Sequence, residues 1–262
     1  MKKFICIIIL IISLVFLYAK YIEPKQITIH EYSVTSEKIP NNFDGVKIAH
    51  FSDILYTEKT DDKYIEKVIN EIKNTNSDIV VFTGGLINKK INDSDKENLI
   101  NLLSSIKPKL YKYAITGDKD SDASKEILNQ SNFILLDNTS NFIFNNDTEP
   151  ILIAGGDNLT SESLPEEEIT YNYKIALIHK PDDYDKLNND YNLVLAGHSL
   201  AGEIRLPFIG ATIKKDGANK YTDTLYFHED SYLYISNGIG SQKTGLRLLN
   251  TPSINVYRLY SK

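Results

Sequence analysis

Five short apolar runs, each ending abruptly at a glycine, an aspartate or a histidine, constrain this chain more than any other feature. Residues 46–51 lead to Asp53, and residues 79–82 lead to Gly84-Gly85. Residues 113–116 lead to Gly117-Asp118, residues 175–178 to His179, and residues 193–196 to Gly197-His198. Runs of four to six such residues bounded by turn formers read as buried strands that hand over to polar loops. Between and after the first three the period changes. Ile65, Val68, Ile69 and Ile72 share one face of a helix over 61–73, capped near Thr60. Ser94-x-x-Glu97 reads as a capping box opening a helix with Leu99, Leu102, Leu103 and Ile106 on one face, ended by Pro108. A short helix is expected over 123–129. Residues 27–34 alternate as a strand with a slip at Glu31, and the segments 142–144, 151–154, 221–227, 232–236 and 254–259 also read as strands. Strands alternating with helices first, and strands alone later, predict an α/β protein of two layered sheets with helices outside.

His179 and His198 stand where strands hand over to loops, a placement from which imidazoles can converge on one metal or phosphate. Two unrelated loop histidines are the plain alternative. His30 and His228 lie in strand-like runs, and His50 sits beside the strand that delivers Asp53. Each of these three reads as an exposed or internally satisfied strand histidine. Gly155-Gly156-Asp157 and Gly238-Ile-Gly240 read as turn glycines, since neither opens a helix after a strand as a phosphate-binding fingerprint requires. The acidic run 162–168 reads as a solvated loop or helix start.

Taken in order, these blocks resemble the calcineurin-like metallophosphoesterases, in particular their membrane-anchored bacterial branch. The resemblance runs from about Tyr21 to the C-terminus. Ile48-Ala-His-Phe-Ser-Asp53 stands where that family has I-x-x-I-S-D-x-H. Ser77-Asp-Ile-Val-Val-Phe-Thr-Gly-Gly85 stands for P-D-x-V-x-x-T-G-D, and Ala114-Ile-Thr-Gly-Asp-Lys-Asp120 for G-N-H-D or G-N-H-E. The His179 block follows, and then Gly197-His-Ser-Leu-Ala-Gly-Glu-Ile-Arg-Leu-Pro207 for G-H-T-H-G-G-Q-I-R-L-P. Residues 234–240, Arg247 and Pro252 also fit. The resemblance implies a four-layer αββα sandwich with two mixed sheets. It also implies two metal ions sharing a bridging aspartate.

The departures fall on those ligands. Leu55 stands at the histidine of D-x-H, Gly85 at the bridging aspartate, Leu200 at the second histidine of G-H-x-H, and Lys119 at the catalytic histidine of G-N-H. Asp53 alone is left of the first metal's own set. Of the second, His179 and His198 are left, with Asp118 at the asparagine position. Two-metal phosphoryl chemistry clamps oxygens between ions about 3.5–4 Å apart, and a glycine cannot bridge them. The expectation is a degenerate site that binds at most one divalent ion (Zn, Mn or Fe), with Asp53, Asp118, His179 and His198 as the candidate ligands. Lys119 is the candidate catalytic residue only by position. An ammonium there can hold a phosphate oxygen, and it also repels a nearby cation. The alternative for Asp118 and Lys119 is a solvated turn.

The N-terminus sets the location. Lys2-Lys3 precede sixteen residues, 4–19, in which only Ser13 and Tyr18 carry a polar group. That is slightly short of the ~20 apolar residues of a spanning helix. Leu17-Tyr18-Ala19 is a poor signal-peptidase site, so an uncleaved anchor over 1–20 is preferred to a cleaved signal peptide. The phosphoesterase-like domain then occupies 21–262. The lysine pair would stay in the cytoplasm, leaving a single-pass membrane protein with its domain outside the cytoplasm. The net charge of −6 becomes −8 without Lys2 and Lys3, and so acidic a domain argues against nucleic acid. The single cysteine, Cys6, lies inside the apolar segment, so the domain has no disulfide.

Two functions are compatible with this pattern. One is a non-catalytic or weakly active protein that keeps the fold and a cleft for a phosphorylated or lipid-linked ligand. The other is a divergent single-metal phosphoesterase acting on phosphomonoester, phosphodiester or lipid-linked phosphate substrates.

Overall fold

In the computed structural model, which describes residues 1–146, 149–160, 163–165, 169–187, 190–242 and 244–262, the apolar runs pair into two mixed six-stranded sheets. The first is built from β1 (Thr28–Ser36), β2 (Lys47–Phe51), β3 (Ile79–Thr83), β4 (Tyr111–Ile115), β5 (Ile134–Leu135) and β14 (Ser253–Ser261), in the order β1-β14-β2-β3-β4-β5. β2 to β5 run parallel, and β14 is antiparallel to β2 and parallel to β1. The second contains β6 (Thr139–Ile143), β7 (Ile151–Gly155), β8 (Lys174–Ile178), β9 (Leu193–Ala196), β12 (Leu225–His228) and β13 (Ser231–Ile235), in the order β12-β13-β9-β8-β7-β6. β7, β8, β9 and β13 are parallel within it. β10 (Arg205–Leu206) and β11 (Gly210–Ala211) form a separate small hairpin.

The period-2 alternation of the strands explains the layering. Inward-facing Ile48, Ile79, Val81, Tyr113 and Ile115 of the first sheet meet Ile151, Ile153, Ile175, Leu177, Leu193 and Leu195 of the second in one buried core. On the other face of the first sheet, Val80, Phe82 and Ala114 pack against α2 (Asp62–Asn74), α3 (Asp93–Ser104) and α4 (Asp122–Gln130). Ile65, Val68, Ile69 and Ile72 form the buried stripe of α2, as their spacing requires. The outer face of the second sheet, with Ala176, Ile178, Val194 and Ala196, is covered by Tyr184, Leu187, Tyr191 and Tyr221. Among the described residues that fourth layer is thin, a 3-10 segment at Pro181–Leu187 with loops around it.

Several local expectations shift. Asp61, not Thr60, caps α2, its carboxylate accepting from Lys63 N–H. Asn92 accepts from Asp95 N–H and caps α3 ahead of the Ser94 box, and the helix ends at Ser104, before Pro108. β1 pairs residue for residue with β14 and has no slip at Glu31. The strand expected over 221–227 begins only at Leu225, because the N–H groups of Thr222 and Asp223 donate to Tyr226 Oη. Glu162 and residues 166–168 of the acidic run lie outside the described residues.

α1 (Lys2–Leu17) buries none of its side chains, and the chain stays helical in tighter and wider turns as far as Lys25. These 24 residues are long and apolar enough to cross a membrane, about 36 Å at 1.5 Å per residue against a ~30 Å hydrocarbon core. The end of this helix is fixed to the domain. Ala19 O accepts from Arg247 N–H at 2.9 Å, and buried Glu23 accepts from the N–H groups of Leu249 (3.1 Å) and Asn250 (2.6 Å).

Candidate metal centre

Every candidate residue sits on a loop at the C-terminal end of a parallel strand, where open α/β sheets place their ligands. Asp53 follows β2, Gly84-Gly85 follow β3, Asp118 follows β4, His179 follows β8 and His198 follows β9. The C-terminal strand ends of the two packed sheets bring these loops to one cleft, lined by Asp53, Leu55, Gly85, Asp118, Lys119, His179 and His198. Asp53, His198 and Leu200 all have φ between +52° and +62°. Left-handed backbone at residues other than glycine is a strain that tends to gather at functional loops.

The tautomers of the two histidines follow from their partners. His179 Nδ1 lies 2.7 Å from Thr83 O, and His198 Nε2 lies 2.8 Å from Asp216 O. A carbonyl oxygen can only accept, so both nitrogens carry the proton. The remaining nitrogens, His179 Nε2 and His198 Nδ1, therefore present lone pairs to one another across 3.3 Å. Asp118 Oδ1 completes the set at 3.6 Å and 3.8 Å from them. Three electron-pair donors thus converge, the two imidazoles being almost fully buried. Such a set repels itself unless a cation lies among them, and its spacings suit one ion with ligands at about 2.0–2.1 Å. Burial holds His198 below the ordinary histidine range, and the neighbouring His179 adds to that. Gly117 is required here, since a Cβ on it would lie 2.5 Å from His179 Nε2 and cover the lone pair.

Asp53, the fourth candidate ligand, enters the cleft differently. Its Oδ2 accepts from Ser52 Oγ (2.5 Å) and from His198 N–H (2.9 Å), and it is not among the three converging donors. Gly85, at φ +78°, lies so close that a Cβ there would be 2.7 Å from Asp53 Oδ1. Fully buried Leu200 packs on Gly238 together with Asp53 Cβ. Lys119 lines the cleft and makes no side-chain hydrogen bond or ion pair among the described residues. Lys180 Nζ instead lies 3.6 Å from Asp118 Oδ2.

Sequence reading missed several supports. Asp120 accepts from the N–H groups of Gly85, Leu86, Ile87 and Gly117 at 2.8–3.3 Å and from Ser124 Oγ, tying the β3 loop to the β4 loop. His50 is fully buried, as a satisfied histidine should be. Its Nε2 meets Thr83 Oγ1 (2.8 Å) and its Nδ1 meets Tyr257 Oη (3.1 Å), so it braces the residue whose carbonyl orients His179. Burial pushes His50 down to about 3. Gly238-Ile-Gly240 is more than a turn. It backs Asp53 through Gly240 N–H to Asp53 O, and fully buried Arg247 grips the carbonyls of Asn237, Gly238, Gly240 and Asn250. Lone Arg, Asp and Gly letters carry no periodic signal, so only three-dimensional contacts expose these roles.

A carboxylate and two imidazoles, presented from the strand ends of paired mixed sheets, make an α/β protein with a group of side chains that could hold a metal ion. No family model matches the chain. Over 257 residues it is 31% identical to the uncharacterized metallophosphoesterase YkuE of Bacillus subtilis, covering 93% of this chain and 89% of that one. An uncharacterized metallophosphoesterase of Aquifex aeolicus is 25% identical over 92% of this chain and 95% of its own. The UDP-2,3-diacylglucosamine pyrophosphatase LpxG of Chlamydia muridarum is 23% identical over 94% and 93% respectively. The chain belongs to the metallophosphoesterase family of the calcineurin-like superfamily.

Proposed function

We propose that this is a membrane-anchored metallophosphoesterase-family protein whose centre holds at most one divalent ion and turns over phosphoesters slowly or not at all. The carrying observation is an asymmetry. The donor atoms of Asp118, His179 and His198 lie within 4.8 Å of one another, while Asp53 is engaged by Ser52 and His198 N–H and faces Gly85 where the family's bridging aspartate would stand. Imidazole and carboxylate suit zinc, manganese and iron alike. Asp118, His179 and His198 would hold such an ion, which would supply positive charge for a phosphoryl oxygen and Lewis acidity for water. The remaining tasks fall to the chain. Thr83 and Asp216 carbonyls fix the two imidazoles with their protons turned away from the cleft, so neither serves as a proton donor to substrate. Lys180 balances the charge of Asp118. Lys119 offers an ammonium to a phosphate oxygen, and an ammonium has no lone pair with which to act as base.

The convergence of three donors supports a second reading, a single-metal phosphoesterase. Phosphomonoesters, phosphodiesters and lipid-linked pyrophosphates are its substrate classes, the last suggested by the named activity of the chlamydial relative. Full-length protein in detergent, supplied with manganese or zinc, is expected to hydrolyse aryl phosphates and lipid pyrophosphates barely above background. Robust turnover that disappears in Asp118→Ala overturns the weakly active reading and establishes the single-metal enzyme.

We also place the domain outside the cytoplasm, on the charge of Lys2-Lys3 ahead of the apolar helix. Protease added to intact protoplasts should digest the domain. Protection of the domain reverses the orientation, and release of a form beginning near Lys20 shows that the segment is cleaved.

A further inference from the structure

We infer that the β10–β11 hairpin is a second membrane contact, whose apolar tip rests in the bilayer interface and whose base holds the metal centre. The inference rests on reading α1 as a membrane anchor.

The first observation is the distribution of exposed apolar side chains. Beyond α1, the large apolar residues exposed by half or more among the described residues are Tyr21, Ile22, Phe208, Ile209, Ile213, Leu249 and Phe227. All but Phe227 belong to one bonded block. The end of the membrane helix is joined to the 244–250 loop through Lys20 Nζ to Thr244 O (2.6 Å), Arg247 N–H to Ala19 O, and Glu23 to Leu249 and Asn250. That loop is joined to the base of the hairpin, where Arg205 N–H donates to Leu248 O at 2.9 Å and Leu248 N–H to Glu203 O at 3.0 Å. Phe208 is three residues from Arg205, so at ~3.3 Å per residue it lies within about 10 Å of this junction.

The tip itself is Pro207-Phe208-Ile209. Phe208 is wholly exposed and held at φ +66°. A bulky residue in the left-handed region, projecting into solvent, gains nothing from water. At a membrane surface the same side chain is an interfacial anchor. A bilayer is the occupant this corner already requires, because α1 leaves all its apolar side chains uncovered immediately beside it.

The hairpin's base is the centre. His198 precedes it, and after it Asp216 O accepts from His198 Nε2–H while Lys215 Nζ lies 3.3 Å from His198 O. A tip held in the interface therefore fixes the His198 loop at the bilayer surface, within reach of phosphate on an amphiphile.

The chain contains no tryptophan, so Phe208→Trp, Ile209→Trp and Phe227→Trp each introduce a single tryptophan at an exposed position, which can be excited selectively over the tyrosines. Full-length variants are reconstituted into phosphatidylcholine vesicles with or without brominated acyl chains, and vesicle flotation is scored in parallel. The expected result is co-flotation of all three, with strong quenching and a blue shift in the two hairpin variants and neither in Phe227→Trp. Co-flotation with equal quenching in all three variants, or with none in the two hairpin variants, overturns the inference and leaves the anchor intact. Failure to float overturns both. A blue shift in detergent alone that grows with protein concentration assigns the tip to a second copy of the chain and also overturns it.

Discussion

On the second-sheet side of the cleft, His179 and His198 turn their unprotonated nitrogens toward each other and toward Asp118, and no donor among the described residues answers them. On the first-sheet side, Asp53 is answered by the protein itself. Ser52 and His198 N–H bond its carboxylate, Gly240 N–H bonds its carbonyl, and Leu200 packs beside it on Gly238. Both halves are built from loops at strand ends, with the same strained backbone. They differ in whether a lone pair finds a donor within the chain or is left facing other lone pairs. Polar groups paired within the chain contribute to folding stability, and facing lone pairs cost stability that a bound cation would restore.

That contrast can be broken most forcefully at Leu200. If it is a packing residue closing the Asp53 side, Leu200→Ala should cost about 2–5 kcal/mol in chemical denaturation, with metal affinity nearly unchanged. A neutral effect on stability would mean that this side is not closed by packing. Gly85→Ala is expected to cost somewhat less, about 1–3 kcal/mol, because φ +78° and the nearby Asp53 carboxylate oppose a Cβ. A stabilising result there would show that the loop can reopen for a side chain.

A smaller effect sharpens the contrast from beneath the other half. His50 is neutral and buried, lowered from 6.5 to about 3. Its folded value lies below its unfolded one, so its contribution is present above pH 6.5 and is lost as pH falls toward 3. In chelator-treated protein, His50→Gln should flatten the acid slope of stability by up to about 1.4 kcal/mol per pH unit within that window. His198 shifts in the same direction and keeps part of the slope. An unchanged slope would mean that His50 takes up a proton in the folded state.

Elements that carry their own period were legible in the sequence. The buried strands before Asp53, Asp118, His179 and His198 and the stripe of α2 needed only local pattern, and the family resemblance supplied the order. Elements set by distant partners were not. Leu206-Pro-Phe-Ile209 has no alternation to mark a hairpin. Asp120 shows its role only when four amides from two loops meet it. Nothing local to Asp53 tells that its carboxylate also accepts from the His198 amide, 145 residues further along the chain. The full length of the N-terminal apolar helix is not legible either, since polar Lys20 and Glu23 hide the helical turns that continue to Lys25.

The most direct test of the contrast is a metal count on purified full-length protein equilibrated with zinc or manganese, then repeated on His198→Ala and Asp53→Ala. The account predicts no more than one ion per chain, lost in His198→Ala and retained in Asp53→Ala. Two ions per chain, or a single ion that survives His198→Ala and disappears with Asp53→Ala, would contradict it.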